Sequence, residues 1–376
     1  MADAPMPKDA QGGYGLYVHI PFCHSRCHYC DFYSTTTQEG VPEAYVDALL
    51  RDFARHAPRE AGGTARRPQS VYFGGGTPGL LAPRQVAKLL KAVRPLPGAE
   101  VTLEANPESA DAAKLAGWRA AGVNRLSVGV QSARDATLRL LGRRHTAAEA
   151  KALLAAARAA GFGNVSGDVM LALPGEDDAA FDETLALLVD GGVRHVSAYL
   201  LKIEAGTPFG AAPPPGLPNA DAAAERYLYA AERLAQAGFA RYEISNFAQP
   251  GCESRHNLLY WDARDYLGLG PAAHSSLARR RFSFAPSLEA FLADALPPTE
   301  EGTLTAEDAL MLRLRLEAGV DLGQWHARFG GALAPRQSAL LGRLAQSGLA
   351  RQTPQGWALT GRGMLVQNQV LGALLA

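Results

Sequence analysis

Short apolar runs alternate with helical patterns along the N-terminal half of the chain. Each run is rich in Val, Leu and Tyr, and the stretch after it repeats apolar side chains every three to four positions. This alternation is typical of βα units, whose strands form a parallel sheet covered by helices. The predicted strands cover residues 14–20, 69–76, 100–107, 124–132, 164–175 and 194–203. The predicted helices between them cover residues 41–57, 83–96, 110–122, 147–161 and 181–192.

The number of these units favours one kind of α/β fold. Six units end near residue 210, which fits a partial (β/α)6 barrel, related to the TIM barrel, better than a small doubly wound sheet. Periodicity alone does not separate the two folds. In both, polar residues at the carboxyl ends of the strands face the rim of the active site. We therefore expect functional residues at the ends of the predicted strands.

The chain is predicted to divide into four segments. A flexible polar leader covers 1–13, and the barrel core covers 14–212. A break rich in Pro and Gly precedes an aromatic, loop-rich segment over 213–300. Residues 301–376 are predicted to form a mostly helical lobe, with three helices and a β-hairpin as in a winged helix. Because its helices carry no basic excess, we interpret this lobe as a packing element rather than a DNA-binding one.

Charge and composition exclude several classes of protein. The 376-residue chain has 37 Lys and Arg residues against 37 Asp and Glu, which argues against a nucleic acid partner. It has no apolar run of about eighteen residues and no secretory signal, so the expected location is the cytoplasm. Four cysteines in such a chain do not make a disulfide scaffold. Clustered thiols instead indicate a metal or redox site.

Three of the four cysteines, Cys23, Cys27 and Cys30, directly follow the first predicted strand. The last two would suit a thioredoxin-type motif, but Cys23 would then be surplus. Structural zinc would need His24 or His28 as a fourth ligand, and zinc ribbons usually use two distant pairs. Three buried, inert cysteines are a further option, although the loop is polar and rich in His. An iron–sulfur cluster on three thiolates would leave one iron open to a cofactor, and we favour this interpretation.

The segment YVHIPFCHSRCHYCDF resembles the cluster loop of radical S-adenosylmethionine enzymes. More narrowly, the chain is similar to the oxygen-independent coproporphyrinogen III oxidase family and its HemW-type branch of heme chaperones. The motifs match from Tyr14 to about Ser276, with weaker similarity beyond. This resemblance implies a radical S-adenosylmethionine barrel and a 4Fe–4S cluster on Cys23, Cys27 and Cys30. It also implies that the amino and carboxylate groups of S-adenosylmethionine chelate the open iron.

The resemblance implies further cofactor contacts, most of them at strand ends. The GGGTP segment supplies Gly75, Gly76 and Thr77 to the methionine amino group, as the close approach of glycine backbone permits. The resemblance also implies that the carboxylate of Glu104 accepts hydrogen bonds from the ribose hydroxyls of the cofactor. A structural hydrogen bond is the alternative for Asp168, because an acid in an apolar strand needs a partner. The other implied cofactor contacts are Tyr17, Tyr29, Gln131, Arg143, Asp168 and Lys202.

Three residues of chemical interest have no counterpart in the resemblance. His145 and His195 are expected at the surface or at helix caps. Cys252 stands alone, far from the other thiols, and is expected to be a tolerated small residue in a loop. No residue of the chain is assigned as catalytic.

Two departures separate the chain from the coproporphyrinogen oxidases of the family, which decarboxylate coproporphyrinogen III to protoporphyrinogen IX. Those enzymes carry a further cysteine two positions after the third, where this chain has Phe32. They also have a long N-terminal arm, whereas 16 residues precede Tyr17 here. Both departures favour the heme-chaperone branch. Oxidase activity stays as the alternative, and a radical enzyme with an unrelated substrate as a third option.

The segment SRHNLLYW supports the heme-chaperone branch, because it resembles that branch's His-Asn-x-x-Tyr-Trp motif. His256 is a candidate axial ligand of heme iron, and Tyr260 and Trp261 are candidates to pack against the porphyrin. A capped aromatic loop with a hydrogen-bonded His256 is the structural alternative. The resemblance implies delivery of heme to apo-hemoproteins, including membrane-bound recipients at the inner face of the membrane. Cleavage of S-adenosylmethionine and formation of a homodimer are left open.

Overall fold

A computed structural model describes residues 13–60 and 63–375, so the predicted leader lies, apart from Gly13, outside the described residues. The strands are β1 Gly15–Ile20, β2 Phe22–Cys23, β3 Thr35–Thr36, β4 Ser70–Gly75, β5 Glu100–Ala105, β6 Arg125–Gln131, β7 Asn164–Leu171, β8 His195–Leu200, β9 Ala240–Arg241, β10 Asn246–Ala248, β11 Tyr266–Leu269, β12 His274–Leu277, β13 Arg280–Ser283, β14 Thr299–Thr303, β15 Val320–Asp321, β16 Ala350–Thr353 and β17 Gly356–Leu359.

The helices are α1 Glu43–His56, α2 Pro83–Val93, α3 Ala112–Ala121, α4 Asp135–Leu140, α5 Ala147–Ala159, α6 Asp178–Asp190, α7 Pro208–Ala211, α8 Ala220–Gln236, α9 Arg255–Trp261, α10 Leu288–Leu292, α11 Ala306–Arg313, α12 Leu322–Phe329, α13 Pro335–Gln346, α14 Gly361–Leu365 and α15 Gln367–Leu375. Single 3₁₀ turns lie at Pro78–Leu80 and Pro107–Ser109. Within the described ranges, no helix is long and apolar enough to cross a bilayer.

The central sheet confirms the predicted partial barrel. Its middle runs in the order β1, β4, β5, β6, β7 and β8, with every neighbouring pair parallel. Leu16, Val18 and Ile20 of β1 are buried in the layer between the sheet and the helices. The alternate positions carry polar groups, such as Glu104 on β5 and Asp168 on β7. The barrel therefore has an apolar outer face and a polar interior, as alternation along a strand requires.

The sheet continues beyond the six predicted strands. β11 pairs in parallel with β1, and β12 to β14 extend that edge in antiparallel fashion. At the other edge, β10 pairs with β8 and β9 with β10. The segment over 213–300 thus adds strands to the barrel sheet, and its status as a separate domain stays a prediction. No strand closes the barrel between its two edges in the described residues, which leaves one side open.

The helices pack on the outer face through regularly spaced apolar side chains. On α1, Tyr45, Leu49 and Phe53 recur every four residues and are buried against the sheet. Asp111 caps α3 by accepting from the backbone N–H of Lys114 at 2.8 Å. These spaced apolar side chains hold the helices against the outer face of the sheet.

The C-terminal lobe has a hydrophobic core of its own. Leu310, Trp325, Leu341 and Leu359 are buried in it. In the described part of the lobe, α11, α12 and α13 pack with the hairpin of β16 and β17, which β15 joins. This confirms a mostly helical, winged-helix-like lobe.

Candidate functional site

The loop between β1 and α1 carries the three clustered cysteines above the carboxyl ends of the parallel strands. Cys23 lies in β2, which pairs with β3, and the backbone N–H of Cys30 bonds to the carbonyl of Cys27 at 3.3 Å. The backbone N–H of His28 donates to the carbonyl of Leu141 at 3.0 Å. The loop is therefore tied both to itself and to the segment after α4, which fixes the thiols over the barrel rim.

Two predicted cofactor contacts touch the thiols directly. The hydroxyl of Thr77 lies 3.5 Å from the Cys23 sulfur, and the guanidinium of Arg143 lies 3.6 Å from the Cys27 sulfur. Arg143 also donates to the side-chain oxygen of Asn106 at 2.7 Å. A cation beside a thiol stabilises the thiolate, which is the form that binds metal. The structure thus brings together the cysteines and these two residues as predicted.

The chemistry of the three thiols fits an iron–sulfur cluster. Burial raises the pKa of Cys23, and it raises the pKa of Cys30 to about 11, so iron binding must displace protons from these thiols. Over 13–60 and 63–375, no three His, Cys, Asp or Glu side chains converge as ligands of one metal ion. A 4Fe–4S cluster does not require the three thiols to converge on one point, because each cysteine binds a different iron.

A cavity of about 380 Å³, here called the cluster cavity, opens beneath the thiols. Its volume is in the range of small-molecule sites. All three clustered cysteines line it, together with most of the predicted contacts. Those contacts are Tyr29, Gly75, Gly76, Thr77, Glu104, Gln131, Arg143, Asp168 and Lys202. Tyr17, His256, Tyr260 and Trp261 do not line it.

The glycines at the end of β4 form one wall of the cluster cavity. Gly75 has a φ of 112°, a conformation that residues with a side chain rarely adopt. A Cβ on Gly76 would lie 2.8 Å from the carbonyl of Phe22 and 3.0 Å from the Cys23 sulfur. Only glycine fits there without displacing the cluster loop. The wall therefore offers bare backbone to a ligand beside the first thiol.

Two half-buried carboxyl groups also line the cluster cavity. Glu104 accepts from the hydroxyl of Tyr72 at 2.8 Å, and Asp168 accepts from the hydroxyl of Ser127 at 3.0 Å. Burial raises the pKa of both groups, that of Glu104 to about 7. Asp168 thus has the structural hydrogen bonds of the alternative and also faces the cavity. Glu104 keeps acceptor capacity for the hydroxyls of a ligand.

A second cavity of about 450 Å³, here called the aromatic cavity, adjoins the first. Phe32, Gly75 and Glu104 line both cavities. Its walls are mainly aromatic rings and imidazoles. They include Tyr17, His19, Tyr33, Tyr72, His256, Tyr260, Tyr266 and His274. Phe32, which is 63% exposed, lies where the two cavities meet.

The structure divides the predicted heme motif between two places. His256 and Tyr260 line the aromatic cavity, whereas the ring of Trp261 packs under the guanidinium of Arg315 at 5.4 Å. His256 is buried, and its two ring nitrogens lie 2.8 Å from the Ser70 hydroxyl and 2.7 Å from the Tyr260 hydroxyl. Burial lowers the pKa of His256 to about 3, so its ring is neutral. Iron ligation by His256 stays a prediction that requires the ring to give up one of these bonds.

Two histidines are placed differently from the prediction. His195 is buried in the barrel interior, where its ring nitrogens lie 2.7 Å from the Ser166 hydroxyl and 2.8 Å from the Tyr242 hydroxyl. His145 is also buried and bonds the carbonyl of Val130 at 3.3 Å. Surface or cap positions for these two were therefore wrong, because each imidazole finds internal polar partners.

Sequence reasoning missed several polar residues of the site. Asn106, Ser127 and Tyr199 line the cluster cavity. Arg125 is buried inside the barrel, and its Nε and one terminal nitrogen have no hydrogen-bond partner among the described residues. Most of these lie at alternate positions of the strands, two residues from one another or from Glu104. Period-two spacing from the strand ends was the signal that marks them as inward-facing.

Comparisons with known proteins agree with this geometry. Residues 17–188 match the model of the Radical SAM superfamily, and residues 305–366 match that of the HemN C-terminal domain. The heme chaperone HemW of Mycobacterium tuberculosis (strain ATCC 25618 / H37Rv) is 38% identical over 99% of this chain and 96% of its own length. A mitochondrial radical S-adenosyl methionine domain-containing protein 1 of Mus musculus is 45% identical over 73% of this chain and 63% of its own length.

A solved structure shares the whole architecture. Coproporphyrinogen III oxidase (HemN) from Escherichia coli, described as a radical SAM enzyme, superposes with a TM-score of 0.80 at 25% identity. The match covers 96% of this chain and 90% of that chain. Barrel, edge strands and C-terminal lobe are therefore shared with that enzyme.

Proposed function

The chain belongs to the HemW family within the radical S-adenosylmethionine superfamily, and from this premise we propose that it is a heme chaperone. It holds a 4Fe–4S cluster on Cys23, Cys27 and Cys30 and binds S-adenosylmethionine in the cluster cavity. It takes up heme in the aromatic cavity and passes it to apo-hemoproteins. The observation that carries this proposal is the aromatic cavity, which shares Phe32, Gly75 and Glu104 with the cluster cavity.

The cavity walls suit a flat, largely apolar tetrapyrrole. Tyr260 and Tyr266 pack edge to face with ring centroids 4.6 Å apart, and Tyr72 stacks on His256 at 5.2 Å. Such interlocked rings lose little side-chain freedom when they bind a planar ligand. The aromatic cavity therefore offers a rigid apolar slot beside the radical S-adenosylmethionine site.

The residues of the cluster cavity have distinct roles in this proposal. When bound, the cluster and S-adenosylmethionine supply one-electron chemistry. Arg143 holds positive charge beside the Cys27 thiolate at 3.6 Å. The backbone at Gly75 and Gly76 receives the methionine end, and Glu104 accepts from the ribose hydroxyls. Each role uses a group that the structure leaves open to the cavity.

Binding of S-adenosylmethionine is expected to depend on pH through Glu104. Burial raises the pKa of this group to about 7, and only the ionised carboxylate is a full acceptor for two hydroxyls. Affinity should therefore fall as the pH drops below 7, by up to about tenfold per pH unit. Isothermal titration between pH 6 and 8 measures this. Glu104→Gln should bind weakly at every pH, and an equally steep pH dependence in that variant would assign the titration to another group.

The runner-up is oxidative decarboxylation of coproporphyrinogen III, which the shared architecture with coproporphyrinogen III oxidase supports. Phe32 argues against it, because the oxidases have a cysteine at that position. In this chain an exposed aromatic ring stands there, at the junction of the two cavities. We therefore place the oxidase activity second.

The recipients we propose are respiratory apo-hemoproteins, reached from the cytoplasm at the inner face of the membrane. Heme-loaded protein with an intact cluster should restore cytochrome difference spectra to membranes from heme-depleted cells of the same organism. Hemin on serum albumin is the control, since it releases heme without recognition. Restoration no faster than from albumin would refute delivery. Size-exclusion chromatography with light scattering, with and without heme, tests whether the chain forms a homodimer.

A further inference from the structure

Three imidazoles line the aromatic cavity in the described part of the chain, and they differ in what they leave free. His19 is buried, with Nδ1 3.0 Å from the hydroxyl of Tyr17 and Nε2 3.0 Å from the carbonyl of Tyr33. His256 likewise has both nitrogens engaged. Neither ring can approach an iron without losing a hydrogen bond, which leaves a buried polar partner unpaired.

His274 is different. It is the first residue of β12, its side chain is 60% exposed, and it stands at the cavity wall. Its Nδ1 lies 3.2 Å from a carboxylate oxygen of Glu301 on β14. Its Nε2 has no hydrogen-bond partner among residues 13–60 and 63–375. One ring nitrogen is thus held by a carboxylate, and the other has no partner, in a residue that lines the aromatic cavity.

This arrangement is the one that metal-binding histidines use. Such a histidine almost always donates its second ring N–H to a carboxylate or carbonyl, which fixes the tautomer and raises the basicity of the ligating nitrogen. A neutral imidazole with Nε2 unprotonated is in turn the usual proximal ligand of heme iron. The pair of His274 on β12 and Glu301 on β14 therefore supplies both halves of a proximal heme ligand.

We propose that His274 binds the iron of heme in the aromatic cavity and that Glu301 is the positioning residue that orients its ring. This inference rests on the proposed function and deepens it, because it names the ligand in that same site. His256, whose ring is hydrogen-bonded to the hydroxyl of Tyr260, then forms part of the cavity wall. Heme would sit between His274 at the rim and the rings of Tyr72 and Tyr260, next to the junction at Phe32.

The edge strands also supply positive charge near this rim. Arg281 on β13 lies 3.9 Å from Glu301, beyond hydrogen-bond distance, and pairs with Ser276 of β12, which in turn pairs with Tyr266 of the cavity wall. A porphyrin carries two carboxylates, and a guanidinium so placed can pair with one of them. The rim thus combines an iron ligand with a partner for the anionic edge of the macrocycle.

The test is hemin titration of the full chain, with resonance Raman spectra of the reduced complex to detect the iron–histidine stretch. Wild-type protein should bind one hemin and show this stretch. His274→Ala should lose it and bind hemin at least about tenfold more weakly, and added imidazole should restore it. Glu301→Gln should keep the stoichiometry but shift the stretch to lower frequency, because the ring loses a charged acceptor. A merely structural role of Glu301 would leave that frequency unchanged.

Two further variants make the outcomes decisive. His326→Ala removes an exposed histidine of the C-terminal lobe and should change nothing. His256→Ala should retain the iron–histidine stretch. Persistence of the stretch in His274→Ala, or its loss in His256→Ala alone, overturns the assignment to His274 and leaves heme binding intact. Failure of wild-type protein to bind hemin refutes the proposed function itself.

Discussion

Cys27→Ala should hold no 4Fe–4S cluster after anaerobic reconstitution. The wild-type chain should hold about four iron atoms, with the brown absorbance of the cluster. Removal of one thiolate leaves two ligands for a cluster that already has an open iron, so iron content should fall close to zero rather than by a quarter. Cys23→Ala and Cys30→Ala should behave in the same way. Iron and sulfide analysis together with the visible spectrum measure the effect.

The fourth cysteine provides a matched control. Cys252 is buried, is far from the other three cysteines in the sequence, and lines neither cavity. Cys252→Ala should therefore keep the full iron complement. A full complement in any variant of the three clustered cysteines would contradict ligation by three thiolates.

Glu104→Ala should lose most of its affinity for S-adenosylmethionine and keep its iron. A hydrogen bond to a charged group contributes about 1.5–3 kcal/mol, so affinity should fall roughly 10- to 150-fold. The cluster loop should be untouched, because Glu104 bonds Tyr72 and Gly75 rather than a cysteine. Equilibrium binding of S-adenosylmethionine to the reconstituted protein, with iron counted in the same sample, separates the two effects.

Glu307→Ala is the control for this experiment, since Glu307 is exposed on α11 of the C-terminal lobe. It should bind S-adenosylmethionine as the wild type does. Unchanged affinity in Glu104→Ala would remove Glu104 from the cofactor site. Loss of iron in that variant would instead mean that the carboxyl group supports the cluster loop.

The barrel and the cluster cavity could be predicted from the sequence because their signals are local. Two strands end at or next to a predicted cofactor contact, β5 near Glu104 and β6 at Gln131. Parallel strands in sequential order place such ends on one rim. The alternation along each strand and the position of its end therefore predict many of the residues that line the cluster cavity. They do not predict which of these residues touch, as Arg143 and Cys27 do.

The aromatic cavity could not be predicted in the same way. It forms because β11 pairs in parallel with β1, which brings Tyr260 and His274 beside Tyr17. No local pattern encodes a pairing between strands some 250 residues apart. The buried positions of His145 and His195 were missed for a related reason, since their partners come from other strands and loops. Long-range partners decide whether a polar side chain can be buried.

The central claim is that the tetrapyrrole is a cargo of this chain and not its substrate, and anaerobic turnover tests it most directly. Protein with a verified cluster is mixed with a reductant, S-adenosylmethionine and coproporphyrinogen III. Protoporphyrinogen IX and 5′-deoxyadenosine are then followed by chromatography in the same vials. We predict no protoporphyrinogen IX, from a protein that binds hemin in a parallel sample. Protoporphyrinogen IX at catalytic yield would contradict the chaperone account and make Phe32 a tolerated departure in a working oxidase.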